Sequence, residues 1–241
     1  MIPQEEVFLW KNLSIQQNDH VLKVGTDAIL LGCWIPTIMK NTASILDVGT
    51  GTGILAMMLA SAFPTAFIEA IDQDENAVKL AQQNFKSFNE TQRFNVRSEN
   101  LFNPDPEMHK KFELIVSNPP YYFEQYRIGL KGEAETKHAK HSPSIWIKAL
   151  NERLEKGGHI FIIIPHDLAF QWIRSGNELG LYCIHRLNVF SFEKDNNPKR
   201  SLLHFSDQLL KPGIDHLILY KAENKFSDEY ILFTGVASQK E

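Results

Sequence analysis

Short apolar runs separated by helix-forming stretches limit this chain to few architectures. ILDV (45–48), AFIEAI (66–71), FNV (94–96), FELIV (112–116) and HIFIIIP (159–165) are short for helices, several are β-branched, and each ends at polar or turn-forming residues. Between them, ILAMMLASAF (54–63) is apolar on nearly all sides and stops at Pro64, as suits a buried crossover helix. ENAVKLAQQNFKSF (75–88) sets Val78, Leu80, Ala81, Phe85 and Phe88 near one helical stripe, with charge and amide opposite. Strand and helix in alternation specify an α/β fold with a doubly wound, mostly parallel sheet. Parallel strands are covered on both faces, so a run such as FIII need not alternate. Helical patterns follow at SIWIKALNERLEKGG (144–158) and DLAFQWIRSGNELG (167–180). Then YCIHRLNVFSF, the polar turn EKDNNPK and RSLLHFS read as an antiparallel pair of strands, and DHLILYK as one more.

A chain of 241 residues is long enough for one domain with a well-buried core and tight for two, and no linker, repeat or low-complexity tract divides it. The expected organisation is a single domain over 1–241, with an N-terminal extension (1–40) ahead of a core (41–241). Hydrophobic residues make up 43% and charged residues 22%, the balance of a soluble globular protein. No stretch approaches the roughly 18 unbroken apolar residues of a membrane span. MIPQEEVFLWKN carries acid where a signal peptide needs base, so a cytoplasmic location is expected. Cys33 and Cys183 lie far apart with no CxxC and no regular spacing to histidine. Both read as core residues, and neither a disulfide framework nor a metal site is expected. A net charge of −4 argues against a protein that coats nucleic acid non-specifically, since phosphate neutralisation needs clustered Lys and Arg. It leaves room for a local basic patch.

The strand ILDV runs into GTGTG, and then into a helix. Gly49, Gly51 and Gly53 let backbone approach a ligand without Cβ clashes and set amides beside a helix N-terminus. The spacing is GxGxG, not the GxGxxG of dinucleotide dehydrogenases, and by itself leaves the ligand open. The next strand ends in Ile71-Asp72-Gln73-Asp74. A carboxylate a little over twenty residues beyond the glycines can take both hydroxyls of a ribose. Asp72 is the candidate, because Asp74 is well placed to cap the following helix.

LDVGTGTG with an acidic strand end downstream resembles motifs I and II of class I methyltransferases that use S-adenosylmethionine. That resemblance implies their seven-stranded sheet, with Asp47 and the three glycines around the methionine moiety and Asp72 on the ribose. Asn100, in SEN, stands where many relatives carry an Asp near the adenine; its carboxamide can exchange hydrogen bonds with an amino group.

Asn118-Pro119-Pro120-Tyr121 follows FELIVS at the carboxyl end of the fourth core strand, on the same edge as the glycine loop, where open α/β sheets bind ligands. Two prolines fix φ near −65° and remove two N–H donors, leaving a stiff, extended segment rich in acceptors. The Asn118 side-chain oxygen and the Pro119 carbonyl can hold both hydrogens of a conjugated amino group, favouring a lone pair aimed at the sulfonium methyl. Tyr121 offers a face for a planar substrate. The pattern resembles methyltransferases of adenine N6, guanine N2, cytosine N4 or glutamine amides.

Upstream, HVLKVGTDAILLGCW (20–34) places VGTD before an apolar helix, with Thr26 or Asp27 as the expected N-cap. A helix N-terminus there favours an anion such as the cofactor carboxylate. KVGTDAILLG, LDVGTGTG and SNPPYY, with Ala139-Lys140-His141 downstream, closely resemble the bacterial tRNA(Val) adenine-N6 methyltransferases, which modify the adenine 3′ of the anticodon. The resemblance is strongest over 18–122. It implies a tRNA partner, a cofactor site that includes Lys23, Gly25 and Thr26, and substrate contacts from Tyr121, Tyr122, Lys140 and His141. A monomer is the expected state.

The rival is a glutamine N5-methyltransferase of release factors, whose relatives carry a helical domain before motif I, where this chain has only 44 residues before Ile45. Guanine-N2 rRNA enzymes usually show NPPF. Candidate RNA contacts are Lys131, Lys137, His138, Lys140 and His141 beyond NPPY, and Lys194, Lys199 and Arg200 in the late polar turn, with phosphate contacts positioning the RNA and an unstacked base entering the pocket. Phe123 and Tyr126 are candidates for the pocket mouth.

Overall fold

The computed structural model describes residues 6–88, 91–104, 110–120 and 142–236. The alternating runs become β3 (Ser44–Val48), α2 (Ile54–Ala62), β4 (Phe67–Asp72), α3 (Glu75–Phe85), β5 (Phe94–Ser98), β6 (Phe112–Ser117), α4 (Pro143–Glu152), β7 (Leu154–Pro165) and α5 (Ala169–Glu178). They are preceded by β1 (Glu6–Trp10), β2 (Leu13–Gln17) and α1 (Thr26–Ile38), and followed by β8 (Tyr182–Phe192), β9 (Arg200–Ser206), β10 (Gly213–Ala222), β11 (Lys225–Phe226) and α6 (Asp228–Thr234). No described helix is long and apolar enough to cross a membrane.

The sheet runs β11-β10-β8-β9-β7-β6-β3-β4-β5. Pairs β3–β4, β4–β5, β3–β6 and β6–β7 are parallel, and β9 runs against both β7 and β8. The stretch from β5 to β8 is the expected seven-stranded sheet with its antiparallel C-terminal pair. Two further strands lie outside it, so the described sheet has nine. The DHLILYK segment joins as β10, parallel to β8, and β11 folds back on it. Helices α1 and α2 pack on each other over one face, and α4 and α5 over the other. Their cores hold Ile45, Phe161 and Ile163 on the first side and Leu46, Ile115, Ile160, Ile162 and Trp172 on the second. This double covering is why ILDV and FIII are apolar throughout.

Two local expectations are corrected, and one element is added. The helix expected over 144–158 stops at Glu152, and Leu154 already pairs with Phe112. The register then shifts, so that the next pair is Leu114 with His159, and EKGG (155–158) stands opposite Glu113 alone and bulges out of the ladder. Gly157 takes φ +76°, and a Cβ on Gly158 would sit 2.9 Å from the Glu155 carbonyl oxygen, so both glycines serve that bulge. The cap of α1 is Gly25 rather than Thr26 or Asp27, with no side-chain cap bond, because Thr26 and Asp27 are themselves helical. Finally, the extension contains a hairpin: β1 and β2 pair antiparallel around Lys11-Asn12, with Lys11 at φ 50°, and bury Leu13 and Ile15.

Candidate active site

Between β3 and α2 the chain makes three left-handed steps, with φ of 74°, 55° and 83° at Gly49, Gly51 and Gly53. L side chains rarely adopt these angles, and a Cβ at Gly53 would also stand 2.7 Å from Cε1 of Phe85. The loop is laced to the neighbouring strand end. The Gly49 and Thr50 amides donate to the Ile71 carbonyl at 2.9 and 3.1 Å, and Gly51 N–H donates to Asp72 Oδ2 at 3.0 Å. Asp74 N–H donates to Asp72 Oδ1, also at 3.0 Å, while the Asp74 side chain caps α3 through Asn76. Both Asp72 oxygens are thus held by backbone donors, and the carboxylate keeps acceptor capacity for a hydroxyl. Partial burial raises the Asp72 pKa, against the pull of those backbone donors.

Asp47 lies beneath the loop rather than in it. It is 1% exposed and accepts from Thr50 Oγ at 2.7 Å. Burial pushes its pKa up to about 7, the Thr50 bond notwithstanding. It supports the glycine loop from below through Thr50.

Two ties were not visible in the residue spacing. Asn84, on α3, is 1% exposed; its Nδ2 donates to the carbonyls of Thr52 (2.8 Å) and Gln16 (3.1 Å), and its Oδ1 accepts from Gln16 N–H (2.8 Å). It binds the glycine loop to β2. Gln17 Oε1 in turn accepts from Val24 N–H at 2.7 Å, and Val21 packs towards Gly51, so the segment leading to VGTD runs beside the loop. A buried amide inside an amphipathic helix was the only available signal. The second tie is Ser117, fully buried, whose hydroxyl donates to the Val48 carbonyl at 2.9 Å. It locks the carboxyl end of β6 to the residue before Gly49.

Asn118 follows directly and is half-buried; Pro119 is buried and Pro120 exposed. The structure therefore brings Asn118 and Pro119 beside the glycine loop, with β3 between them and the β4 end that carries Asp72. Tyr121, Tyr122, Phe123, Tyr126, Lys131, Lys137, His138, Lys140 and His141 lie outside the described residues. Gly25 and Thr26 are exposed at the α1 N-terminus, and nothing stands within 4 Å of a Cβ built on Gly25. Lys23 instead pairs with Glu6 of β1. Asn100 is exposed and accepts from Phe102 N–H at 3.0 Å, an Asx turn just beyond β5. Of the late basic residues, Arg200 pairs with Asp27 at 2.9 Å, Lys194 lies 5.5 Å over the Phe192 ring, and Lys199 is exposed.

These residues suit S-adenosylmethionine: a turn with no side chain at its three glycines, a carboxylate with acceptor capacity to spare, and a helix N-terminus nearby. The model of the methyltransferase small domain family matches residues 25–175. A tRNA1(Val) (adenine(37)-N6)-methyltransferase of Haemophilus influenzae strain PittEE is 34% identical over 230 residues, covering 94% of this chain and 96% of its own length. One of the same name from Flavobacterium psychrophilum is 33% identical, covering 95% and 97%. The chain belongs to this methyltransferase family. Solved structures give the fold independently of close sequence likeness. A predicted O-methyltransferase of Agrobacterium tumefaciens superposes with a TM-score of 0.66 at 16% identity, over 87% of this chain and 95% of its own. A Pyrococcus furiosus methyltransferase does so with 0.59 at 19%, over 83% and 91%. In the strand order, β10 and β11 continue the seven strands from β5 to β8 at the β8 edge.

Proposed function

We propose that this enzyme transfers the methyl group of S-adenosylmethionine to the exocyclic N6 of an adenine in tRNA, the adenine at position 37 of a valine tRNA. The observation that carries the reading is the Ser117–Val48 hydrogen bond, which fixes Asn118 and Pro119 against the glycine loop. The likeness to relatives named for that reaction runs nearly end to end, which favours an RNA base over a protein side-chain amide.

The cofactor supplies an electrophilic methyl on a sulfonium. Asp72 orients it through the ribose, and the glycine turn admits it to the sheet edge. Asn118 Oδ1 and the Pro119 carbonyl would accept hydrogen bonds from the two N6 hydrogens and hold the lone pair towards the methyl; S-adenosylhomocysteine would leave with the S–CH3 bonding pair, and the surplus N6 proton would pass to solvent. Because the proline-fixed backbone sets those acceptors before substrate arrives, the gain comes from orientation. The test is direct. Purified protein with labelled S-adenosylmethionine should yield N6-methyladenosine in nuclease digests of tRNA. Asn118→Ala should lower turnover by at least about a hundredfold while S-adenosylhomocysteine binds within about threefold of wild type. Label only in protein acceptors overturns the reading, and loss of cofactor binding in the variant overturns the role given to Asn118.

A further inference from the structure

We propose that His166 is a substrate-positioning residue, whose Nε2 accepts a hydrogen bond from the ribose 2′-hydroxyl of the target nucleotide. The inference rests on the RNA reading above and extends it to a residue that neither motif contains.

His166 is the first residue after β7, the strand beside β6. The β6–β7 register ends with Ser117 opposite Ile162. Asn118 is one residue past that pair and His166 four, so His166 lies on the order of 10 Å further along the same edge. An adenine whose amino group meets Asn118 spans most of that distance and carries its sugar at the far end.

The imidazole is held by groups with no other evident task. Its Nδ1 lies 2.8 Å from Ser201 Oγ, and Ser201 Oγ donates to Asn188 Oδ1 at 3.1 Å. Ser201 is fully buried and Asn188 is 6% exposed. A hydroxyl has one hydrogen; given to Asn188, it leaves the Ser201 oxygen to accept from His166, which places the ring proton on Nδ1. Nε2 then carries a lone pair, and it has no protein partner among the described residues. The backbone amide of His166 is fixed on the Lys199 carbonyl at 3.3 Å. Partial burial and the nearby Arg186 charge lower the His166 pKa against the opposing pull of Asp167, which keeps the ring neutral near pH 7. A neutral acceptor suits a hydroxyl and not a phosphate. The phosphates on either side of such a sugar would find Arg186 and Lys199 close by. The 2′-hydroxyl is also the group by which a protein tells RNA from DNA at one site.

The experiment uses the full chain and two anticodon stem-loop RNAs, one carrying a single 2′-deoxyadenosine at the target position. For wild type, the deoxy substitution should raise KM about fivefold, the worth of one neutral hydrogen bond, with kcat nearly unchanged. His166→Phe should show the same rise on the ribose substrate and no further loss on the deoxy one. His166→Gln, whose carboxamide oxygen reaches to the place of Nε2, should restore most of the difference. S-adenosylhomocysteine affinity should be unaltered throughout, which reports an intact fold and cofactor site. Retention of the full deoxy effect in His166→Phe overturns the proposal and leaves the methyltransferase reading standing. No transfer by wild type to either RNA overturns both.

Discussion

Asp47 and His204 are buried titratable groups whose shifts run in opposite directions, and pH stability separates them. Burial raises Asp47 to about 7 from 3.8, so the native state binds more protons than the unfolded state between those values. Stability from this group is full below pH 3.8 and is lost as pH rises through 7. His204 stacks on Phe161 with ring centroids 4.0 Å apart and faces His159, and burial lowers it to about 3 from 6.5. Its contribution is full above 6.5 and is lost as pH falls towards 3. Asp72 acts in the sense of Asp47, and His159 in that of His204. Between pH 5 and 6.5 the slopes of Asp47 and His204 oppose one another in wild type. Asp47→Asn keeps the acceptor for Thr50 and removes one of them. Its stability relative to wild type should increase from pH 5 to pH 8 by on the order of 2 kcal/mol. His204→Phe should move the opposite way, gaining relative to wild type as pH falls. Urea unfolding at several pH values reads both, and parallel profiles for Asp47→Asn and wild type would show that the carboxyl ionises normally.

At the scale of elements, the glycine loop is tied to the N-terminal hairpin through the side chain of Asn84. Asn84 meets Gln16 and Thr52 through three hydrogen bonds, so Asn84→Ala leaves buried backbone groups of β2 and of the glycine loop without partners. The expected cost is about 2 to 4 kcal/mol, a fall in Tm of roughly 5 to 12 °C for a chain of this size. The loop should loosen with it. Calorimetric titration should show weaker S-adenosylhomocysteine binding, with the KM for tRNA far less affected; unchanged cofactor affinity in a folded variant would confine Asn84 to stability. This dependence was not legible in the sequence, because residues 16 and 84 share no motif and meet only through the fold. The glycine loop and Asn118-Pro119 were legible, since backbone φ and missing donors are properties of the residues themselves. The end of α4 was misread for a related reason. LEK consists of helix formers, and only pairing with β6, supplied by another part of the chain, draws them into β7. The hairpin did leave a signal, the alternation of Leu13, Ile15 and Gln17. Its five-residue strands are too short for that pattern to stand out. His166 and Ser201, 35 residues apart, become neighbours only through the antiparallel β7–β9 register.

For the whole molecule, the question is how a chain with 25 basic and 29 acidic residues attracts a polyanion. Long-range attraction cannot come from a net charge of −4, so binding must depend on a few local contacts at the carboxyl edge of the sheet. Part of the positive charge is already engaged there, since Arg200 pairs with Asp27. Lys199, exposed at the start of β9, and Lys194, exposed in the turn before it, are the cations the late strands offer to phosphate. A small set of contacts predicts a shallow salt dependence. Each phosphate neutralised contributes about 0.7 to 0.9 to the slope of log K against log salt, so charge reversal at both lysines should flatten that slope by about 1.5. Affinity should fall equally for cognate and non-cognate tRNA, because phosphate contacts position without reading sequence. The kcat at saturating RNA should hold, since neither lysine is assigned a contact with the reacting amino group. Filter binding across a salt series with wild type and the Lys194→Glu, Lys199→Glu double variant measures the slope. An unchanged slope would move the RNA track away from the β8–β9 turn and on to other charges of the same edge.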